Sequence, residues 1–153
     1  MNIFQKKKII YSEKGQSMVE LAVSLVILLI LISGIVDLGR VAFYYIAMRD
    51  SAQEGASYGS IYPYNCAQIT ERVKSGSVDS SRIQVTVEIN GTTCTLDDYC
   101  SLDVNNGDIV KVTVKDPNFP ITMPFLGVFI GKQTINLETT ILDQIIRVPK
   151  CGE

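Results

Sequence analysis

The sequence predicts an α+β fold: a long N-terminal α-helix that runs from a membrane into solvent, packed on a small, mainly antiparallel sheet of three strands with one short extra helix. Three observations predict this fold. Residues 21–36, LAVSLVILLILISGIV, carry no charge. The helical pattern then continues without proline to residue 60. Beyond it, three segments alternate apolar and polar residues, which is the pattern of half-buried antiparallel strands.

The N-terminal helix is predicted over residues 16–60 and would measure roughly 65 Å at 1.5 Å per residue. Its first part, residues 16–36, has the length of about 20 residues that crosses a bilayer. A buried core helix is the alternative, but a segment that is apolar on every face and follows basic residues favours a transmembrane helix. Charges return at Asp37 and Arg40, and residues 37–60 are expected to extend the same helix beyond the lipid.

The helix extension carries two further features. Tyr44 and Tyr45 stand where the helix is expected to leave the lipid, as interfacial aromatic residues often do. Small residues recur along one face at helical spacing: Ala52, Gly55, Ala56 and Gly59. Pro63 indicates that the helix has ended before it.

The remaining residues, 61–153, predict a small domain. Its short helix is expected over residues 65–75, with one apolar face formed by Cys66, Ile69 and Val73. Three strands are expected, over residues 82–90, 108–115 and 134–146. A sheet of three strands needs a cover on its apolar face, and the small-residue face of the long helix is a natural cover.

Residues 117–131, PNFPITMPFLGVFIG, are expected to form a loop between the second and third strands, because their three prolines oppose a central strand. The segment is unusually apolar for a loop. We expect it to close over the core. The alternative leaves its large apolar side chains open to a partner or to the bilayer: Phe125, Leu126 and Phe129.

All four cysteines follow the apolar segment: Cys66, Cys94, Cys100 and Cys151. An even number of cysteines in an exported domain indicates disulfides, and four cysteines allow three connectivities. We favour Cys94–Cys100, which would close the loop between the first two strands, together with Cys66–Cys151, although the sequence alone leaves the connectivity open. A zinc site is disfavoured because the chain has no C-x-x-C motif and no histidine.

The composition excludes several classes of function. The net charge is −2 over 153 residues and +3 over residues 1–15, which leaves −5 for the remainder. An acidic chain disfavours nucleic acid as a partner, because phosphate contacts need clustered Lys and Arg. The absence of histidine removes Ser-His-Asp and Cys-His catalysis. We therefore expect no enzyme activity, no catalytic residues, no metal and no cofactor.

The start of the chain carries an export signal of an unusual kind. Four lysines, Lys6, Lys7, Lys8 and Lys14, precede the motif GQSMVE at residues 15–20, and the apolar segment follows it. An ordinary secretory signal places its apolar region before the cleavage site. Here, cleavage after Gly15 would leave the membrane helix on the mature chain. The lysines predict that the N-terminus lies in the cytoplasm and the C-terminus outside. The alternative is an uncleaved N-terminal anchor.

These pieces together resemble a known family. The motif at 15–20, the apolar helix, GIVDLGR at 34–40 and AMRDSAQEGASYGS at 47–60 are similar to a TadE-like minor pilin (pseudopilin) of the tight adherence (Tad/Flp) pilus system, and the strand, Pro-rich segment and strand that follow are similar too. The resemblance implies processing between Gly15 and Gln16 by a prepilin peptidase. It also implies assembly of a type IV-like pilus with other pilins and assembly proteins. Leu21 departs from the Tyr that major Flp pilins commonly carry there, and those pilins are much shorter, which favours a minor pilin.

The resemblance also assigns a role to Glu20. A carboxylate at the edge of the bilayer is costly unless it is paired, and the partner implied in pilin-like proteins is the new α-amine of Gln16, on the same or a neighbouring subunit. The alternative is that Glu20 only reaches back to the interface. Asp37 and Arg40, three residues apart, are expected to pair at the outer interface and to orient the helix.

Two other functions remain open at this point. One is a pseudopilin of a type II-like secretion machine, which would carry a similar anchor. The other is a membrane-anchored extracellular adhesin or ligand-binding domain, in which the small sheet binds something outside the cell.

Overall fold

The structure is a computed structural model that describes residues 14–95, 103–123, 127 and 131–149. Along the chain, the secondary structure elements are α1 (Lys14–Gly59), α2 (Cys66–Gly76), β1 (Gln84–Ile89), β2 (Thr92–Thr93), β3 (Ile109–Pro120) and β4 (Thr134–Gln144). The predicted α+β class is confirmed, with the long helix, the short helix and the antiparallel sheet in the expected order.

Helix α1 is a single helix of 46 residues, about 69 Å long at 1.5 Å per residue. Its N-terminal part is long and apolar enough to cross a membrane: the most apolar window of 18 residues has a mean hydropathy of 2.8 and no buried residue. Its C-terminal part is different, because Met48, Ala52 and Ala56 are fully buried against the domain. One helix thus has an apolar half that is largely exposed and a half that belongs to the core.

The small-residue stripe of α1 is what lets the helix approach the domain closely. A Cβ placed on Gly55 would lie 2.3 Å from Cγ2 of Val73 in α2. A Cβ on Gly59 would lie 3.0 Å from Cγ2 of Val110 in β3. These distances are shorter than ordinary van der Waals contact, so the stripe is packed between α2 and the sheet. The predicted cover of the sheet is confirmed.

Helix α2 begins at a capped end. The side-chain oxygen of the N-cap residue Asn65 accepts a hydrogen bond from the backbone N–H of Gln68, which satisfies one of the free donors of the first turn. The three residues predicted to share a face are all buried in it: Cys66, Ile69 and Val73. Helix α2 therefore packs on α1 and on β1 through the face that its sequence predicts.

The sheet has four antiparallel strands in the order β2-β1-β3-β4, where we predicted three. The additional strand β2 is two residues long and pairs with the end of β1. It exists because Asn90 and Gly91 both have positive φ, 50° and 80°, which is the requirement of a tight hairpin turn. The core face of the sheet carries apolar residues from three strands: Val87, Ile89, Val110, Val112, Val114 and Leu137.

The prolines did not stop the second predicted strand where we expected. Strand β3 continues through Pro117 to Pro120 and pairs with β4, with a register shift between Asp116 and Phe119. The reason is that β1 pairs with β3 only as far as Lys115. Beyond that residue β3 has a neighbour on one side only, and an edge accommodates proline. Phe125, Leu126 and Phe129 lie outside the described residues, so closure over the core stays a prediction.

Both favoured cysteine pairings were wrong, because the structure joins Cys66 to Cys94, with Cα atoms 5.8 Å apart. The turn after β1 brings the chain back over the start of α2, where the backbone N–H of Cys94 donates to the carbonyl of Val87. Cys100 and Cys151 lie outside the described residues. A crosslink over a separation of 28 residues stabilises a fold by about 3–4 kcal/mol in the chain-entropy account.

The contact at Gly55 generates a stability prediction. Gly55→Ala should destabilise the full chain by about 1–2 kcal/mol, because overpacking against Val73 costs about 1–3 kcal/mol and the gain in helix propensity, about 0.5–1 kcal/mol, offsets only part of it. Thermal unfolding in detergent micelles, followed by the near-ultraviolet circular dichroism of the tyrosines, measures the change. Gly39→Ala is the matched control, since nothing lies within 4 Å of a Cβ there. Equal stability of the two variants would contradict close packing at Gly55.

Candidate functional site

The proposed processing residues lie at the start of α1. The helix begins at Lys14, so the bond between Gly15 and Gln16 is in its first turn, and both residues are exposed. Nothing lies within 4 Å of the position that a Cβ on Gly15 would take. Lys6, Lys7 and Lys8 are outside the described residues. The folded domain therefore leaves this bond free on every side that the structure describes.

Glu20 lies one helical turn after Gln16 and is exposed. Residues four apart on a helix are neighbours on its surface, so an amine at Gln16 and the Glu20 carboxylate are within reach of each other. No described residue of the domain forms a hydrogen bond or an ion pair with Glu20. The carboxylate is therefore available to a partner at the N-terminus of the same helix or on another chain.

Asp37 and Arg40 form the expected pair, with 3.4 Å between Nη1 of Arg40 and Oδ1 of Asp37. Both residues also bind the segment that follows β3. The other oxygen of Asp37 accepts a hydrogen bond from the backbone N–H of Met123, and Nη1 of Arg40 donates to the hydroxyl of Thr122 at 2.6 Å. We call these four residues the helix clamp. The clamp fixes the end of the sheet domain to α1 at the point where charge first returns to the helix.

The contact between the domain and α1 continues one helical turn towards the N-terminus, from the clamp to Gly34. The sulfur of Met123 lies 3.8 Å from the position of a Cβ on this glycine. The domain-facing residues of α1 follow a spacing of three and four from this point: Gly34, Asp37, Val41, Tyr44, Met48 and Ala52. Extending the small-residue stripe backwards at that spacing reaches Met48, Val41 and Gly34 in the sequence, whereas Asp37 and Tyr44 are assigned to this face only by their contacts in the structure.

Tyr44 corrects the prediction of two interfacial tyrosines. Its side chain is buried in the core and packs against Phe119 of β3, with ring centroids 4.9 Å apart and ring planes tilted by 46°. Tyr45, on the other side of the helix, is exposed. The sequence places both residues just beyond the lipid, but the neighbour that buries Tyr44 comes from a strand 75 positions later, which no local pattern reveals.

A second charged pair lies beside Tyr44. Nη2 of Arg82 donates to the carboxylate of Asp116 at 2.9 Å and to the carbonyl of Asn118 at 3.2 Å. Asp116 is only 1% exposed, so Arg82 provides the positive charge that a buried carboxylate needs. The guanidinium of Arg82 lies 5.5 Å from the ring centre of Phe119, and that of Arg40 lies 5.8 Å from it. Phe119 therefore contacts both arginines, in an arrangement that cation–π attraction favours.

These side chains line an open groove of about 330 Å³ next to the clamp. Its lining combines both arginines with aromatic, apolar and acidic side chains: Arg40, Phe43, Tyr44, Val78, Asp79, Arg82 and Phe119. Burial, and then the carboxylate of Asp116, raise the pKa of Tyr44 above its usual value, while Arg82 opposes the shift. The phenol is thus neutral at physiological pH. Among the described residues no group of three or more His, Cys, Asp or Glu could hold a metal ion.

The comparison with known families agrees with the recognition made from the motifs. Residues 15–57 match the model of the family described as TadE-like protein. No curated protein and no solved structure matches the chain. The matched range begins at Gly15, includes Glu20, Asp37 and Arg40, and ends two residues before α1 does; the sheet lies beyond it. The recognition of a TadE-like protein is therefore confirmed on the N-terminal helix. The matched residues include the one helix in the described part of the chain that is long and apolar enough to cross a membrane.

The helix clamp generates a prediction about Asp37. Asp37→Ala removes the acceptor of the Met123 N–H, which is partly buried, and the partner of Arg40, and leaving a buried donor unsatisfied costs about 1–3 kcal/mol. We expect amide hydrogen exchange of Met123 to become about 5- to 150-fold faster, measured by mass spectrometry on the full chain.

Asp50→Ala is the matched control, since it removes an exposed carboxylate from the same helix. Unchanged exchange at Met123 in the Asp37 variant would show that the clamp does not hold this segment.

Proposed function

We propose that the chain is a TadE-like minor pilin or pseudopilin that a prepilin peptidase cleaves between Gly15 and Gln16 and that contributes to the assembly of a tight-adherence pilus. In this proposal residues 1–15 are the leader, residues 16–36 the transmembrane helix, residues 37–60 its extension and residues 61–153 an extracytoplasmic domain. The observation that carries it is the family match that starts at Gly15 and follows α1.

The continuity of α1 supports processing at this bond. The helix runs without a break from Lys14 to Gly59, so cleavage after Gly15 removes the basic leader and leaves the apolar half joined to the buried half. A peptidase that cleaved after the apolar segment would separate the domain from its anchor. Gly15 suits the position before the scissile bond because it has no Cβ to limit its backbone in a narrow site.

Two independent features support placing the domain outside the cytoplasm. The lysines of residues 1–15 precede the apolar helix, and basic residues beside a membrane segment stay on the cytoplasmic side. The disulfide Cys66–Cys94 lies in the domain that follows α1, and disulfides persist in extracytoplasmic compartments. Both features support the same orientation, with the N-terminus inside.

The role in assembly rests on Glu20. After cleavage, the new amine of Gln16 and the Glu20 carboxylate are one turn apart on α1, and neither is engaged by a described residue of the domain. In lipid an unpaired carboxylate is costly, so an amine on the same or a neighbouring subunit would stabilise the association of helices. The partners of this proposal are the cytoplasmic membrane, the peptidase, other pilins and pilus assembly proteins.

Processing is tested by a single substitution with a matched control. Gly15→Ala should slow the appearance of a mature chain starting at Gln16 by about tenfold or more, equivalent to about 1.4 kcal/mol in the barrier. Because a Cβ at Gly15 meets nothing within 4 Å, misfolding cannot account for such a loss. Intact mass and N-terminal sequence of the protein recovered from membranes provide the measurement.

Gly39→Ala, which is equally unhindered, should be processed at the normal rate. A wild-type chain that still starts at Met1 would refute cleavage and leave a simple N-terminal anchor, in which case the outer domain becomes a candidate binding module.

Assembly is tested at Glu20. Glu20→Gln keeps the shape of the side chain and removes its charge, so the chain should still be cleaved but the quantity of pili sheared from the cell surface should fall. Glu54→Gln is the control, since Glu54 is an exposed carboxylate of the same helix whose ion pair with Arg72 is long, at 3.6 Å. Normal pili with Glu20→Gln would exclude a need for the charged pair.

A further inference from the structure

We propose that the end of the sheet domain at the helix clamp lies in the outer interface of the bilayer, with Met123 at the boundary of the acyl chains and Arg40 at the level of the lipid phosphates. The partner of this surface is the phospholipid bilayer itself. The proposal rests on the single-span anchor proposed above, and it adds a second contact with the membrane that the anchor alone does not require.

The first argument is depth along α1. A hydrocarbon core of about 30 Å needs about 20 helical residues. Counted from Leu21, the first residue after Glu20, the core ends near Arg40; counted from Met18, it ends near Asp37. Tilting the helix adds residues to the span and moves the boundary further along it. Gly34 is therefore inside the core or at its edge in each case, and Met123 lies against Gly34.

The second argument is the burial of Asp37. Its neighbours in α1 that face away from the domain are apolar and open, Leu38 being 70% exposed. Asp37 is only 6% exposed, and its two oxygens are taken by Arg40 and by the Met123 N–H. A carboxylate at the edge of the hydrocarbon needs such burial and such partners, because an unpaired charge is costly there.

The third argument is the chemistry of the surface around the clamp. The side chain of Arg40 is 46% exposed and commits only Nη1, so that within the described part of the chain Nε and Nη2 have no partner. An arginine with a free edge at this level suits a lipid phosphate. Phe43, 66% exposed on the next turn, is an aromatic residue at the same interface.

The opposite end of the domain supplies a contrast. From Gly34 to Gly59, α1 rises about 37 Å, which places Tyr62 well away from the clamp. Tyr62 is 43% exposed, so it offers a position of similar accessibility that the proposal leaves in water. Ile32, within the apolar half of α1, offers a position that the anchor alone places in lipid.

The chain has no tryptophan, so one introduced tryptophan reports on one site. Met123→Trp, Ile32→Trp and Tyr62→Trp would each be made in the full chain and reconstituted in vesicles of phosphatidylethanolamine and phosphatidylglycerol, with and without lipids brominated near the headgroup end of the acyl chains. We expect bromine to quench the tryptophans at positions 32 and 123 and to leave the one at position 62 unchanged.

Two outcomes would overturn different proposals. If the tryptophan at 32 is quenched and the one at 123 is not, the domain stands off the membrane and this inference is wrong while the anchor stands. If the tryptophan at 32 is not quenched, the anchor and with it the proposed function are wrong. The unaltered chain gives a second test: a photoactivatable group in the acyl chain should label the peptide that contains Met123 and not the peptide that contains Tyr62, and the reverse pattern would refute the inference.

Discussion

One helix has to satisfy two different surroundings, and the rest of the structure follows from this constraint. The first half of α1 presents apolar side chains on every face, whereas the second half presents a narrow face of small residues to the domain. That face starts at Gly34 and carries contacts with α2, β3 and β4 as far as Gly59. Because Gly55 and Gly59 remove the side chains that would hold the helix away, a sheet of only four strands can bury its core against α1, with α2 packed beside it.

Asp37 lies where the exposed apolar half of α1 meets the half that packs on the domain. It contributes by fixing the position of the domain on the helix more than by adding net stability. An ion pair with one buried member gains little net stability, because the desolvation of the buried Asp37 carboxylate opposes its attraction to Arg40. Removing one member is costly all the same, since the other polar groups are left without partners. Asp37 thus favours one register of the domain along α1 over registers shifted by a turn. Sliding α1 by one turn would move the carboxylate about 5.4 Å from the Met123 N–H.

The sequence predicted those elements whose pattern is local, and it missed those that depend on a distant neighbour. Helix α1 and the core strands follow from composition and alternation, and α2 from its apolar face and cap. Strand β2 has two residues and no period, so only the positive φ of Asn90 and Gly91 forms it. The pairing of Cys66 with Cys94 depends on that turn. The burial of Tyr44 depends on Phe119, and the prolines of β3 are tolerated because β1 has already ended.

The same reasoning applies to the site. Glu20 and Asp37 were visible as lone carboxylates at the two ends of an uncharged segment. Only the fold reveals that one of them has partners within the chain and the other has none among the described residues. Asp37 is covered from within the chain, by Met123 and Arg40, whereas the described part of the domain offers nothing to Glu20. Seventeen residues of helix, about 26 Å, separate them, somewhat less than a hydrocarbon core. In the function that we propose, Asp37 positions the domain on the helix, and the unpaired Glu20 is left to meet an amine at the N-terminus of its own or a neighbouring chain.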